Sequence, residues 1–274
     1  MSIFIIIPVH NRKKITLRCL ENLDKIVDKQ NYKIVVVDDG SSDGTRQCIL
    51  AEYPETLVLQ GSGNLWWTGS IRLGMEYAYQ QGAEYFIWMN DDTYPSPNTL
   101  SLIVGHSSHH SNTIVSAQCY ADQDLQRPTY GGQTKGYLSH ALFHTPFGKC
   151  YPCDCMSGNL VCFPRSVIDK IGFPPSNHLP HISADIVYTW IAKKAGYNLI
   201  VCGDATAVCP FNPYEEGWHL SPISIKQRWC MLTSYKSNLY PPSFWYYCQK
   251  FFGFLAPIVF LKGYLSLIFF TVLN

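Results

Sequence analysis

Along this chain, apolar runs of strand length alternate with segments whose apolar residues recur every three or four positions, the signature of an α/β sheet. Residues 3–9, IFIIIPV, form the first such run. Over 14–28, Ile15, Cys19, Leu20, Leu23, Ile26 and Val27 fall on one face and predict a helix. A second strand over 33–38 breaks at Gly40, and a short helix over 43–53 leads to a third strand at 56–59. Gly61 and Gly63 open a loop, a helix covers 68–81, and 85–89 reads as another buried strand ending in Asn90-Asp91-Asp92. The remainder is less regular. It predicts strands near 114–118 and 160–163 and a helix over 184–195 closed by Gly196. Neither an internal repeat nor a low-complexity linker interrupts the pattern.

Composition narrows the reading. A chain of 274 residues, 47% hydrophobic and 15% charged, suits one large domain or a domain with an appendage, and is too apolar for a disordered polymer. A formal charge of +1 argues against a surface built to grip nucleic acid. Aromatic residues at 14% beside so few charges suggest a sugar-binding or membrane-facing surface. The N-terminus has no basic flank and no small-residue cleavage site, so it reads as the first strand of a cytosolic protein with mostly reduced thiols. The eleven cysteines are an odd number, and the tightest group is Cys150, Cys153 and Cys155. A metal clamp with His140 or His144 lacks a second CxxC or an HxxxH spacing, so buried or spare thiols are expected there.

Three carboxylate groups carry the chemistry. Asp38-Asp39 ends the second strand and leads into Gly40-Ser41-Ser42-Asp43-Gly44-Thr45. Acids there either accept hydrogen bonds from a nucleotide's base or ribose or serve a turn and cap, and this motif alone leaves both open. Asn90-Asp91-Asp92-Thr93 ends the run 85–89 and offers oxygen ligands suited to Mg²⁺ or Mn²⁺ with diphosphate oxygens. Two acidic strand ends in one sheet converge on one cleft, the place where open α/β sheets hold ligands. The third group, His181-Ile182-Ser183-Ala184-Asp185, opens the amphipathic stretch Ile186, Val187, Trp190, Ile191 and Ala195. Capped by Ser183, Asp185 would profit from the helix dipole whether or not it catalyses.

The ordered combination of Ile7-Pro8-Val9-His10-Asn11-Arg12, residues 37–45, Asn64 to Gly74 and Met89-Asn90-Asp91-Asp92-Thr93 resembles the inverting glycosyltransferases of family 2, which have the GT-A fold. Within them it is most similar to rhamnosyltransferase-like enzymes of bacterial surface polysaccharide and O-antigen assembly. The resemblance covers residues 1–215 and implies a GT-A domain there; 216–274, which it does not cover, reads as a separate basic, aromatic helical segment. It places Pro8, His10 and Arg12 along the nucleotide, Asp38 on the base and Asp39 beside it, and Asn64, Trp67, Gly69 and Arg72 near the donor. Trp66 stands where the family usually has Gly, and Arg72 where it usually has a second Asn. Asn90 and Asp91 would face the donor, Asp92 would bind the metal, and Asp185 would be the catalytic base, with Ala184 where the family often has Glu. Gly158, Asn159 and His181 fall on the acceptor side, and His219 is a further candidate for metal or diphosphate. The implied partners are a dTDP- or UDP-sugar donor, a saccharide or lipid-linked acceptor, and no nucleic acid. Other readings are a nucleotidyltransferase or similar sugar-nucleotide enzyme, and an inactive membrane-attached glycan- or nucleotide-binding module. A dinucleotide oxidoreductase is disfavoured because no GxGxxG follows the first strand.

Charge divides unevenly along the chain. Residues 1–216 hold 16 Lys and Arg against all 20 Asp and Glu, net −4, while residues 217–274 hold five cations and no acids, net +5. Phe244, Trp245, Tyr246, Tyr247, Phe251, Phe252 and Phe254 crowd the same tail, as in segments that settle at an anionic membrane interface. As a helix, 251–273 would reach about 34 Å, enough to cross a bilayer. Lys262 near its centre, with Pro257 and Gly263, favours instead an anchor lying on or dipping into the inner face of the cell membrane; the alternatives are a helix packed back on the domain or an oligomer interface.

Overall fold

The computed structural model describes residues 1–110, 112–211 and 225–272. Strands β1 (Ile3–Val9), β2 (Tyr32–Asp38), β3 (Leu57–Gln60) and β4 (Tyr85–Met89) pair side by side, all parallel, in the order β3-β2-β1-β4. Helices α1 (Lys13–Ile26), α2 (Thr45–Glu52) and α3 (Trp66–Gln80) make the crossovers. β1 shows why its sequence is apolar throughout. Ile3, Ile5, Ile7 and Val9 share one core with Cys19, Leu20 and Leu23 of α1, while Phe4 and Ile6 share another with Ile71, Met75 and Ala78 of α3. Alternate strand residues face opposite sides, so a strand covered by helices on both faces is apolar at every position. Gly74 lets α3 lie close on the sheet: a Cβ there would collide with Ile6 Cγ2 and come within 3.2 Å of Val37 Cγ2.

The next elements are β5 (Tyr94–Pro95), α4 (Thr99–His109), β6 (Thr113–Tyr120), β7 (Gly132–Lys135), β8 (His140–Leu142), β9 (Cys150–Pro152) and β10 (Cys155–Met156). β11 (Leu160–Pro164), α5 (Arg165–Ile171), α6 (Ala184–Lys194) and β12 (Asn198–Val208) follow. β11 lies antiparallel between β4 and β6, and β12 joins β6 in parallel. β5 and β9 pair antiparallel with β12. A small antiparallel sheet, β10-β7-β8, stands apart. The mixed sheet with helices on both faces is the expected α/β architecture. The sequence pattern passed over α4, whose buried Leu100, Ile103, Val104 and Ser107 do have helical spacing, because Pro95, Pro97 and Gly105 break up its surroundings. It also missed β12, where a register shift between Cys202 and Thr206 interrupts the period of two.

The C-terminal region corrects one expectation. After α7 (Ile225–Thr233) come α8 (Pro241–Phe252) and α9 (Ala256–Val272), and no continuous helix runs over the described residues 251–272. The chain turns at Gly253, whose φ of +59° suits glycine, and α9 folds back along α8. The Phe244 ring lies 5.5 Å from Phe260 and 5.9 Å from Tyr264, and the Tyr264 hydroxyl donates to the Leu239 carbonyl at 3.0 Å. The helical stretch Pro241–Leu265 has the length and hydropathy of a membrane span. These contacts make it a hairpin instead. Tyr247, Cys248, Phe251 and Phe252 of α8 form a third core with Ala184, Ile186 and Val187 of α6, so the hairpin is packed on the sheet domain.

Candidate active site

The loops after β1, β2 and β4 all leave from the carboxyl edge of the sheet, where its topology opens a crevice. A cleft of about 730 Å³ lies there, and its walls include Pro8, Arg12, Trp67, Asn90, Asp91, Asp92, Gly158, Asn159, His181 and Asp185. The two acids after β4 behave differently. Asp91 is 2% exposed and takes a hydrogen bond from Thr16 Oγ1 at 3.0 Å. Asp92 has a side chain 33% exposed to the cleft and accepts from Arg12 Nη2 at 2.7 Å. Arg12 also reaches Asp91 at 3.2 Å, so the two acids share one guanidinium. Burial pushes the Asp91 carboxyl up to about 7, against the pull of Arg12. Asp91 is thus a buried support, and Asp92 is the carboxylate available to a ligand. A hard, partly exposed oxygen donor beside the Asn90 amide fits Mg²⁺ or Mn²⁺ completed by diphosphate oxygens and water.

In the same cleft, Asp185 stands in the first turn of α6. Its Oδ2 accepts from the Gly158 amide at 2.7 Å and its Oδ1 from the Ile186 amide at 2.8 Å. Burial raises its pKa, and the two amides partly offset that rise. Ser183 does occupy the N-cap, but with φ +62° and without a side-chain cap bond, and it is Asp185 whose side chain accepts from an amide of the first turn, that of Ile186. Gly158 is required here: a Cβ would lie 2.6 Å from the Trp67 ring and 3.1 Å from Asp185 Cβ. Trp67 in turn donates Nε1–H to Asn90 Oδ1 at 2.8 Å. Asn159 donates to Cys209 Sγ. His181 contacts Trp66 edge-on, its Nδ1 is buried without a partner, and burial and then Lys236 push it down to about 4, so it is neutral.

Other expected residues lie outside these walls. Asp39 accepts from the amides of Gly63, Leu65 and Trp66 at 2.7–2.9 Å, capping α3 from the loop after β2. His10 donates its Nδ1–H to the Asp39 carbonyl at 2.7 Å, and Asp38 Oδ1 accepts from the Ser41 amide at 2.9 Å. Asn64 accepts from Trp66 Nε1, and Gly69 is buried under Leu65. Arg72 pairs with Glu76 at 2.7 Å on the helix face and does not reach the cleft. His219 lies outside the described residues. Sequence reasoning missed Thr16, Gln133 and Cys209, and it assigned Phe244, Tyr247, Phe252 and Lys262 to a tail although they help wall the cleft. Their signal was the aromatic cluster itself, read as a membrane feature because its partner α6 is distant in sequence.

The glycosyl transferase family 2 model matches residues 4–172, ending before Asp185. No curated protein matches the chain. Among solved structures, the chain is similar to GalNAc-T7 with UDP, GalNAc and Mn²⁺, at TM-score 0.66 and 14% identity over 91% of this chain. It spans half of that protein's length. It is also similar to the mannosyltransferase PcManGT from Pyrobaculum calidifontis with GDP-Man and Mn²⁺, at TM-score 0.59 and 16% identity over 97% of this chain and 74% of the other. TarS 1-349 of S. aureus with UDP-GlcNAc gives TM-score 0.58 and 16% identity over 100% and 74%. These likenesses establish a GT-A-like fold.

Proposed function

Because this chain belongs to glycosyl transferase family 2, we propose that it transfers a sugar, with inversion, from a nucleoside diphosphate donor to a saccharide acceptor. The observation that carries the reading is one cleft walled by Asn90, Asp92 and Asp185 together. Asp185 takes the proton of the acceptor hydroxyl as that oxygen attacks the anomeric carbon. The new glycosidic bond forms on the face opposite the diphosphate, whose bond to the sugar breaks as the nucleoside diphosphate leaves. A base with a raised pKa accepts that proton more readily than an ordinary carboxylate. The Gly158 and Ile186 amides fix its orientation and leave further lone pairs on each oxygen.

Asp92, with Asn90 beside it, would hold Mg²⁺ or Mn²⁺, which when bound neutralises charge on the departing diphosphate. Arg12 then balances the charge of Asp91 behind it. The unpaired Nδ1 of neutral His181 supports an acceptor-side contact with a sugar hydroxyl. UDP, UDP-GlcNAc and GDP-Man in the similar structures support a nucleotide-sugar donor, here a dTDP- or UDP-sugar. We further propose that the sugar is rhamnose and the acceptor a lipid-linked O-antigen or surface polysaccharide precursor at the cytoplasmic face of the membrane. Purified protein is tested against a panel of nucleotide sugars with Mg²⁺, Mn²⁺ or EDTA. Metal-dependent donor hydrolysis or transfer is expected; nucleotidyl transfer without glycosyl transfer would overturn the reading.

A further inference from the structure

The cysteine group 150, 153 and 155 separates in the fold. Cys153 and Cys155 are buried in two different cores, whereas Cys150 is exposed at the start of β9, directly opposite Cys202 in the β9–β12 pair. His106 of α4 brings Nε2 to 3.7 Å from Cys150 Sγ, and the three donor atoms of His106, Cys150 and Cys202 all lie within 4.8 Å of one another. Neither histidine weighed from the sequence joins them: His140 bonds Gln133, and His144 meets Tyr120. We propose that His106, Cys150 and Cys202 bind a Zn²⁺ ion whose fourth position is open to water.

Tetrahedral zinc with Zn–S of about 2.3 Å and Zn–N of about 2.0–2.1 Å sets its ligand atoms roughly 3.5–3.8 Å apart. The His106–Cys150 separation already has that value, and the others close on the ion with small side-chain rotations. Two thiolates and an imidazole select zinc over the hard cations that suit Asp92. A cavity of about 470 Å³ borders the cluster, includes His110 and Lys193, and shares no wall residue with the catalytic cleft. Water can therefore complete the coordination, and the site is independent of sugar transfer. Its ligands come from three elements. β9 is a three-residue strand exposed along its length, and an ion there fastens it and α4 to the long strand β12. A Cys150–Cys202 disulfide is the competing chemistry, since it needs the sulfurs at about 2.05 Å and leaves His106 without a partner.

The experiment uses the full chain, reduced and stripped of metal, titrated with Co²⁺ while thiolate-to-cobalt charge-transfer absorption is followed. The band should saturate at one ion per chain and disappear when Zn²⁺ is added, and Zn²⁺ should raise the melting temperature. Cys150→Ser, a change at an exposed position, and His106→Gln should abolish or weaken the band, whereas Asp92→Asn and Cys48→Ser should keep it. Absence of the band in the reduced protein, its persistence in Cys150→Ser, or a Cys150–Cys202 disulfide in protein that binds no zinc after reduction would overturn the proposal.

Discussion

At the scale of single residues, Asp185 shows how burial and backbone amides set a carboxylate against each other. Burial raises its pKa more than the Gly158 and Ile186 amides lower it. The base must be unprotonated to act, so activity should fall on acidification along a limb displaced above that of an ordinary aspartate, and a kcat/KM profile against pH measures this. Asp185→Asn should lower kcat by about 10²–10⁴-fold, the usual share of a general base, while calorimetric binding of the nucleoside diphosphate is retained. Unchanged turnover would remove Asp185 from the mechanism. His181 carries a linked stability effect. Its pKa in the fold is about 4, below the ordinary value, so the unfolded chain binds the proton better and stability is lost as pH falls from about 6.5 toward 4. His181→Phe keeps the ring contact with Trp66 and should remove that loss, on the order of 2 kcal/mol, in denaturant midpoints at pH 7 and pH 5.

At the scale of elements, the close approach of α3 to β1 rests on Gly74, which leaves space for Ile6. Gly74→Ala should destabilise the protein by about 1–3 kcal/mol despite the better helix propensity of Ala, because the added methyl overpacks a filled core. A urea midpoint that rises instead would show that α3 can shift outward at little cost. The elements most legible in the sequence were those with strong local patterns: β1 and β4 were read to the residue, and α1, β2, α2, β3 and α3 within about two residues. The short strands β7 to β10 escaped because two to four residues carry no period, and their pairing comes from partners distant in sequence. The cleft followed the same division. Acids at strand ends were legible, but the role of Asp39 as a cap for α3 depends on amides more than twenty residues away. Nor could spacing reveal that α8 would cover α6 and complete the wall.

At the scale of the whole molecule, the uneven charge takes on a shape. The hairpin of α8 and α9 turns Tyr247, Phe251 and Phe252 inward, and leaves Phe254, Ile258, Leu261 and Leu265 exposed at 90%, 55%, 60% and 49%. Ile258, Leu261 and Leu265 recur at spacings of three and four residues in one stripe along α9, and Phe254, in the turn before it, continues that spacing. Lys250 and Lys262 are also exposed on the hairpin, and the whole tail lacks acids. Such a stripe beside cations suits insertion of the apolar side chains among anionic headgroups, with α9 lying in the plane of the surface. Deleting the tail would be a poor test, since it also removes the core on α6 and one wall of the cleft. Phe254→Ser, Ile258→Ser and Leu261→Ser together change only the outer stripe. Each loses roughly 1.5–3 kcal/mol of burial if the stripe enters the bilayer, so co-sedimentation with phosphatidylglycerol vesicles should fall well over tenfold. Transfer to a water-soluble acceptor should be unaffected. Binding of the parent chain should weaken as salt is raised and be slight on phosphatidylcholine alone. Equal vesicle binding by the triple variant would mean that the hairpin's outer face meets something other than a membrane.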